Sequence, residues 1–144
     1  MKVLAALAAS RAPLDITERK TTPHNKFKEV DMEDKYRMMV FGTCQFEAIH
    51  CWPNAPKDVE FLRTPHRHLF KLQFHAPVWH EDRDVEFIML KRSVEHVCRE
   101  KWAGKDIGHT SCESIAIQLL EYFPQLHHVE VSEDGENGAA VWRK

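Results

Sequence analysis

The sequence predicts an α+β domain in which two helices cover one face of a four-stranded antiparallel sheet. Three observations lead there. Two long runs, 35–50 and 65–79, alternate between apolar and polar residues. After Phe87 the apolar spacing changes to three and four residues. A last alternation, broken by a turn between Asp134 and Gly138, closes the chain.

Each element follows in order. Residues 1–34 read as an arm, mobile or helical, because Arg11 to Asp34 is polar, carries Pro13 and Pro23, and lacks periodicity. Met1 to Ser10 has the charge and small residues of a signal peptide. Its apolar part sits at the lower limit of ~7 residues, and Arg11 follows almost at once, so the arm reading is preferred. Residues 35–144 read as a single domain. Tyr36, Met38, Val40, Gly42 and Cys44 alternate against Arg37, Met39 and Phe41, and Phe46 to His50 extends this first strand. Cys51 to Asp58, with Pro53 and Pro56, reads as loop. Pro65 to Trp79 gives a second strand, antiparallel to the first, with Phe70, Leu72, Phe74 and Ala76 on one face. Phe87, Leu90, Val94, Val97 and Cys98 mark an amphipathic helix ending near Gly104. Ser111 is the expected N-cap of a second helix, Cys112 to Tyr122, which Pro124 ends. His128 to Glu133 and Ala139 to Trp142 form the closing hairpin.

Composition narrows the function classes. The chain has 144 residues, 43% hydrophobic and 29% charged, as expected for a soluble globular protein. No apolar run approaches the ~20 residues of a membrane span. A formal charge of −2 offers no footprint for nucleic acid. Four cysteines without a Cys-x-x-Cys pair read as reduced thiols of a cytoplasmic protein. Ten histidines are the unusual feature.

His66 and His68 lie two apart on the second strand, so both rings point to one face. His50 closes the first strand and, in an antiparallel pairing, arrives beside them. Three imidazoles with an open fourth position make a catalytic-type zinc arrangement. The competing reading of the pair alone is two solvated surface histidines. His24, His75, His80, His96, His127 and His128 show no such convergence and read as structural or exposed.

Several segments carry a family likeness. Phe46-Glu47-Ala48-Ile49-His50 resembles the Phe-x-Ala-x-His segment of the 6-pyruvoyl-tetrahydropterin synthase and 6-carboxytetrahydropterin synthase family. Pro65-His66-Arg67-His68 resembles its His-Gly-His segment, with Arg67 replacing glycine. Val85 to Lys91 is similar to its Val-Asp-Phe-x-x-Leu-Lys helix start, Ser111 to Ala116 to its Thr-x-Glu-x-x-Ala helix, and Val131-Ser132-Glu133 to its terminal strand. The segments occur in family order and span about residues 36–142. The resemblance implies the tunnelling fold, with strand order ββααββ and sheets joined between subunits into a barrel, as a homo-oligomer (trimer, tetramer or hexamer). It implies His50, His66 and His68 as ligands of Zn2+, and Glu133 as the anchor of a pterin or purine-like small-molecule substrate. A carboxylate suits that ring because it accepts two parallel hydrogen bonds. Glu133 otherwise reads as an exposed hairpin residue. Ser111 and Glu113 would join the substrate site, although Glu113 also has a helix-dipole explanation. The implied activity is a zinc-dependent lyase acting on a dihydroneopterin-triphosphate-like substrate in pterin or 7-deazapurine (queuosine precursor) biosynthesis.

The sequence also departs from the family. Members processing dihydroneopterin triphosphate usually carry Cys four residues before the first His of His-Gly-His, and here that position is Leu62. The adjacent Asp-His pair is missing. Asp106 and His109 are displaced substitutes, and Cys51 is the remaining candidate thiol. On a regular strand Cys51 faces away from His50, and a bend at Trp52-Pro53 would reverse this. The alternative function is therefore a catalytically altered or inactive module that binds the ring without the family reaction.

Overall fold

Alternation becomes a sheet in the computed structural model, which describes residues 36–144. Strand β1 (Met38–His50) and strand β2 (His66–Val78) are followed by helices α1 (Phe87–Lys101) and α2 (Cys112–Tyr122) and by strands β3 (His128–Glu133) and β4 (Asn137–Trp142). The described sheet is open and antiparallel throughout, in the order β1-β2-β3-β4.

Every even-numbered residue of β2 from Phe70 to Ala76 is buried, as are Phe46 and Ala48 on β1 and Val129 and Val131 on β3. That face meets α1 through Leu90, Val94 and Cys98, and α2 through Ile115, Ala116 and Leu119. Helix α1 lies against β1, and α2 against β3 and β4. Gly42 faces the same core, where Phe74 fills the space a side chain would need, 2.5 Å from the position of a Cβ.

Both helices begin on side-chain caps. Glu86 accepts from the backbone N–H groups of Ile88 and Met89, and Ser111 Oγ accepts from Ser114 N–H. Ser111→Ala is expected to destabilise the protein by ~1 kcal/mol, read as a lower urea midpoint at unchanged slope.

The element boundaries shift only slightly from expectation. Helix α1 stops at Lys101, ahead of Gly104, which adopts φ +73°. A 3-10 segment over Lys57–Arg63 replaces part of the expected loop. It buries no residue and is kinked at Val59, so it has no apolar period to reveal it. The arm reading of residues 1–34 lies outside the described residues. All four cysteines are free, with Cys44 and Cys98 Sγ atoms 3.9 Å apart between β1 and α1. Among the described residues no helix is long and apolar enough to cross a membrane.

Two features position the site. The β1–β2 ladder runs to His50↔His66, whereas β3 pairs with β2 only from Phe70 to His75. The far end of the β1–β2 ribbon therefore extends past the β3–β4 hairpin. In addition, the segment after α1 fastens onto the outer edge of β1. Gly104 N–H donates to Glu47 O, Ile49 N–H to Lys105 O, Ile107 N–H to Ile49 O, and Cys51 N–H to Gly108 O.

Candidate metal centre

His50 and His66 are directly opposed in the ladder, and His68 faces Ala48 one step along. All three belong to the helix-covered face, because His66 and His68 are in phase with buried Phe70. Their ring centroids form a near-equilateral triangle of 4.8, 4.9 and 5.2 Å. Phe70 lies beneath, 5.3 Å from the His50 ring and 6.1 Å from that of His68.

Each ring is held through Nδ1. His50 Nδ1 lies 3.0 Å from the Thr110 carbonyl, and His66 Nδ1 lies 2.7 Å from the Thr64 carbonyl. His68 Nδ1 lies 2.5 Å from Asp134 Oδ2. A carbonyl oxygen has no proton to give, so Nδ1 of His50 and of His66 must donate, and an ionised carboxylate asks the same of His68. In the neutral ring Nε2 then presents its lone pair. All three Nε2 atoms are buried without a hydrogen-bond partner. The Glu133 carboxylate stands 3.3 Å from His50 Nε2 and 3.6 Å from His68 Nε2, short of hydrogen-bond alignment. Three inward lone pairs facing a carboxylate repel one another unless a cation lies among them. The candidate ligand nitrogens lie within 4.8 Å of one another, close enough to converge on a single metal ion. The donor set could therefore hold a metal ion, with outer partners on every imidazole.

Asp134 occupies a special backbone position. It adopts φ 56° at the hairpin turn, a left-handed conformation that Asp tolerates better than most residues. Its Oδ1 accepts from Leu69 N–H at 3.0 Å, while its other oxygen holds His68. The His68 contact, then the Leu69 N–H, keeps its carboxyl below the usual aspartate range. The sign follows directly. Its support of the His68 ring is present above the ordinary aspartate pKa and is lost as pH falls through the lowered value. Asp134→Asn is expected to weaken metal binding at the triad ~10- to 100-fold at pH 7, measured by competition with a chromogenic chelator.

A cavity of about 360 Å³ opens beside the triad, within the size range of small-molecule sites. The structure brings Cys51, His109, Ser111, Glu113 and Glu133 to its lining with His50 and His66. Cys51 reaches it because the chain leaves the strand at His50, and Trp52 N–H turns to donate to Leu62 O. Ser111 and Glu113 arrive with the first turn of α2. Leu62 also lines the cavity, so the position of the family's usual thiol presents only hydrocarbon. Asp106 is not among the lining residues, and its carboxylate accepts from Gly108 N–H within its own loop.

Cys112 was not anticipated as a site residue. It is buried, its Sγ lies 3.9 Å from Glu133 Oε1, and it faces the cavity. Burial first, then the Glu133 and Glu113 carboxylates, pushes its thiol up to about 12. It is therefore a protonated neighbour of Glu133 and no nucleophile at neutral pH. The signal was its spacing, since residues 112, 115, 116 and 119 form the buried stripe of α2.

Neither a scan against protein-family models nor a search of curated proteins finds a match to this chain.

Proposed function

We propose that this protein is a zinc-dependent lyase of the tetrahydropterin synthase type, acting on a pterin or purine-like small molecule such as dihydroneopterin triphosphate. The observation that carries the reading is the triad itself: three buried Nε2 atoms without partners, each on a ring fixed through Nδ1. His50, His66 and His68 would hold the ion. Bound zinc supplies Lewis-acid polarisation of a substrate hydroxyl or carbonyl. Glu133 receives the ring's amino and N–H groups, and the Cys112 thiol limits how far its carboxylate swings. Ser111 uses an oxygen lone pair as helix cap, leaving its O–H to donate to substrate. Cys51 and His109 line the cavity and are the groups for moving protons at the reacting carbons. The free thiols fit a cytoplasmic location. The open sheet supports the tunnelling-fold reading, in which subunits join edge to edge into a homo-oligomer.

The test begins with zinc content of protein purified without chelators, followed by incubation with dihydroneopterin triphosphate. About one zinc per triad and multiple turnover are expected, with turnover abolished in Cys51→Ala. Zinc below one-tenth per chain, with no recovery on adding metal, would overturn the reading.

Leu62 in the cavity wall and Asp106 outside it favour a second reading, a module that binds the ring without the family reaction. Pterin binding lost in Glu133→Ala, with no turnover in the unaltered chain, would select it.

A further inference from the structure

The helix-free face of the sheet carries a separate set of ligand-bearing side chains. His75 on β2 pairs directly with His128 on β3. Both are out of phase with the buried residues of their strands, so they face away from the helices and from the triad. The register places Phe41 opposite His75 and Trp142 opposite His128. Four rings thus cross four strands: Phe41 to His75 at 6.0 Å, His75 to His128 at 4.8 Å, and His128 to Trp142 at 4.4 Å between centroids. The His128 and Trp142 planes are only 6° apart.

Stacking accounts for the ring faces and leaves the nitrogens unexplained. The His128 side chain is 12% exposed, and the Nε2 atoms of both His75 and His128 are buried without a hydrogen-bond partner. An unpartnered buried polar atom carries an energetic cost that a bound ion would relieve. Glu130, next on the same face of β3, brings Oε1 to 3.5 Å from His128 Nε2. One ligand atom from each of His75, His128 and Glu130 lies within 4.8 Å of the other two.

We propose that His75, His128 and Glu130 form a second divalent-cation site, on the opposite face of the sheet from the triad. Two imidazoles and one carboxylate select a borderline transition-metal ion such as zinc, nickel or copper(II) over magnesium or calcium. Three protein ligands leave positions for water or an added ligand. The site lies on the two central strands at the open end of the β3–β4 hairpin, with Trp142 stacked on His128 and Phe41 tilted against His75. It shares no ligand with the triad, so the proposal stands independently of the lyase reading.

The test uses the full chain, stripped of metal by chelation, dialysed and titrated with Zn2+ by calorimetry. About two equivalents per chain are expected. His66→Ala should remove one equivalent and spare the other. Glu130→Gln, which keeps the ring stack, should weaken the remaining equivalent more than ~10-fold and leave the first unchanged. His75→Asn should do the same, with circular dichroism confirming the fold. Copper(II) added to His66→Ala protein should give an electron paramagnetic resonance spectrum with two nitrogen ligands, lost in His75→Asn. A single equivalent in the unaltered chain that disappears with His66→Ala would overturn the second site. So would a second equivalent unaffected by both Glu130→Gln and His75→Asn. If the triad reading alone fails, His66→Ala changes nothing while Glu130→Gln still removes binding.

Discussion

His66→Ala is expected to lower zinc affinity at the triad more than ~100-fold while the domain stays folded. Outer partners of a metal-bound imidazole are themselves worth ~10- to 100-fold, and loss of the imidazole exceeds that range. His66 is the replacement to choose because it opens β2 at the ribbon's end, where truncation removes little packing. The ladder partner His50, by contrast, is buried and also holds Thr110. Zinc at 100 times the triad's dissociation constant should add about 2.7 kcal/mol to the unaltered chain through that site, a contribution the variant should lack while keeping any gain from the His75–His128–Glu130 site. The measurement is a urea transition with and without zinc, beside exposed His80→Ala as control. Equal zinc stabilisation of His66→Ala and the unaltered chain would remove the triad from consideration.

Phe70→Ala is expected to be the most damaging single change to the fold, at ~3–5 kcal/mol. The side chain is fully buried. Its ring stacks on Phe46 at 5.4 Å and forms the floor under His50 and His68. Its backbone pairs with both Phe46 and Glu133. A cavity here would loosen the core and the ligand rings together. Denaturant unfolding should show a lower midpoint, and zinc titration a weaker triad. A loss below about 1 kcal/mol would mean the surroundings collapse into the space, contrary to the packing described.

Side-chain patterns made much of this arrangement legible in the sequence. Period-two alternation gave β1 and β2, the phase of His66 and His68 gave their common face, and Ser111 announced α2. The parts that stayed hidden are those without a side-chain signature. The Thr64 and Thr110 carbonyls that fix the imidazoles are backbone groups, indifferent to residue type. Asp134 reads as an ordinary turn residue until the β2–β3 register sets it against His68. The same register is needed to pair His75 with His128, which lie far apart in the chain and read as incidental. Cys51 could not be placed from alternation because the strand ends one residue before it.

The strip of backbone after α1, fastened along β1 from Glu47 to Cys51, bears on how copies of this chain could meet. That stretch of the rim is already zipped, so a foreign strand cannot add there without first prising off the loop that steadies His50. Among the described residues, the vacant rim of β1 runs from Met38 to Gln45, and the opposite rim is the six-residue β4. Any continuous sheet built from successive subunits must be stitched through those two short seams, which limits the stagger between neighbours before any side chain is consulted.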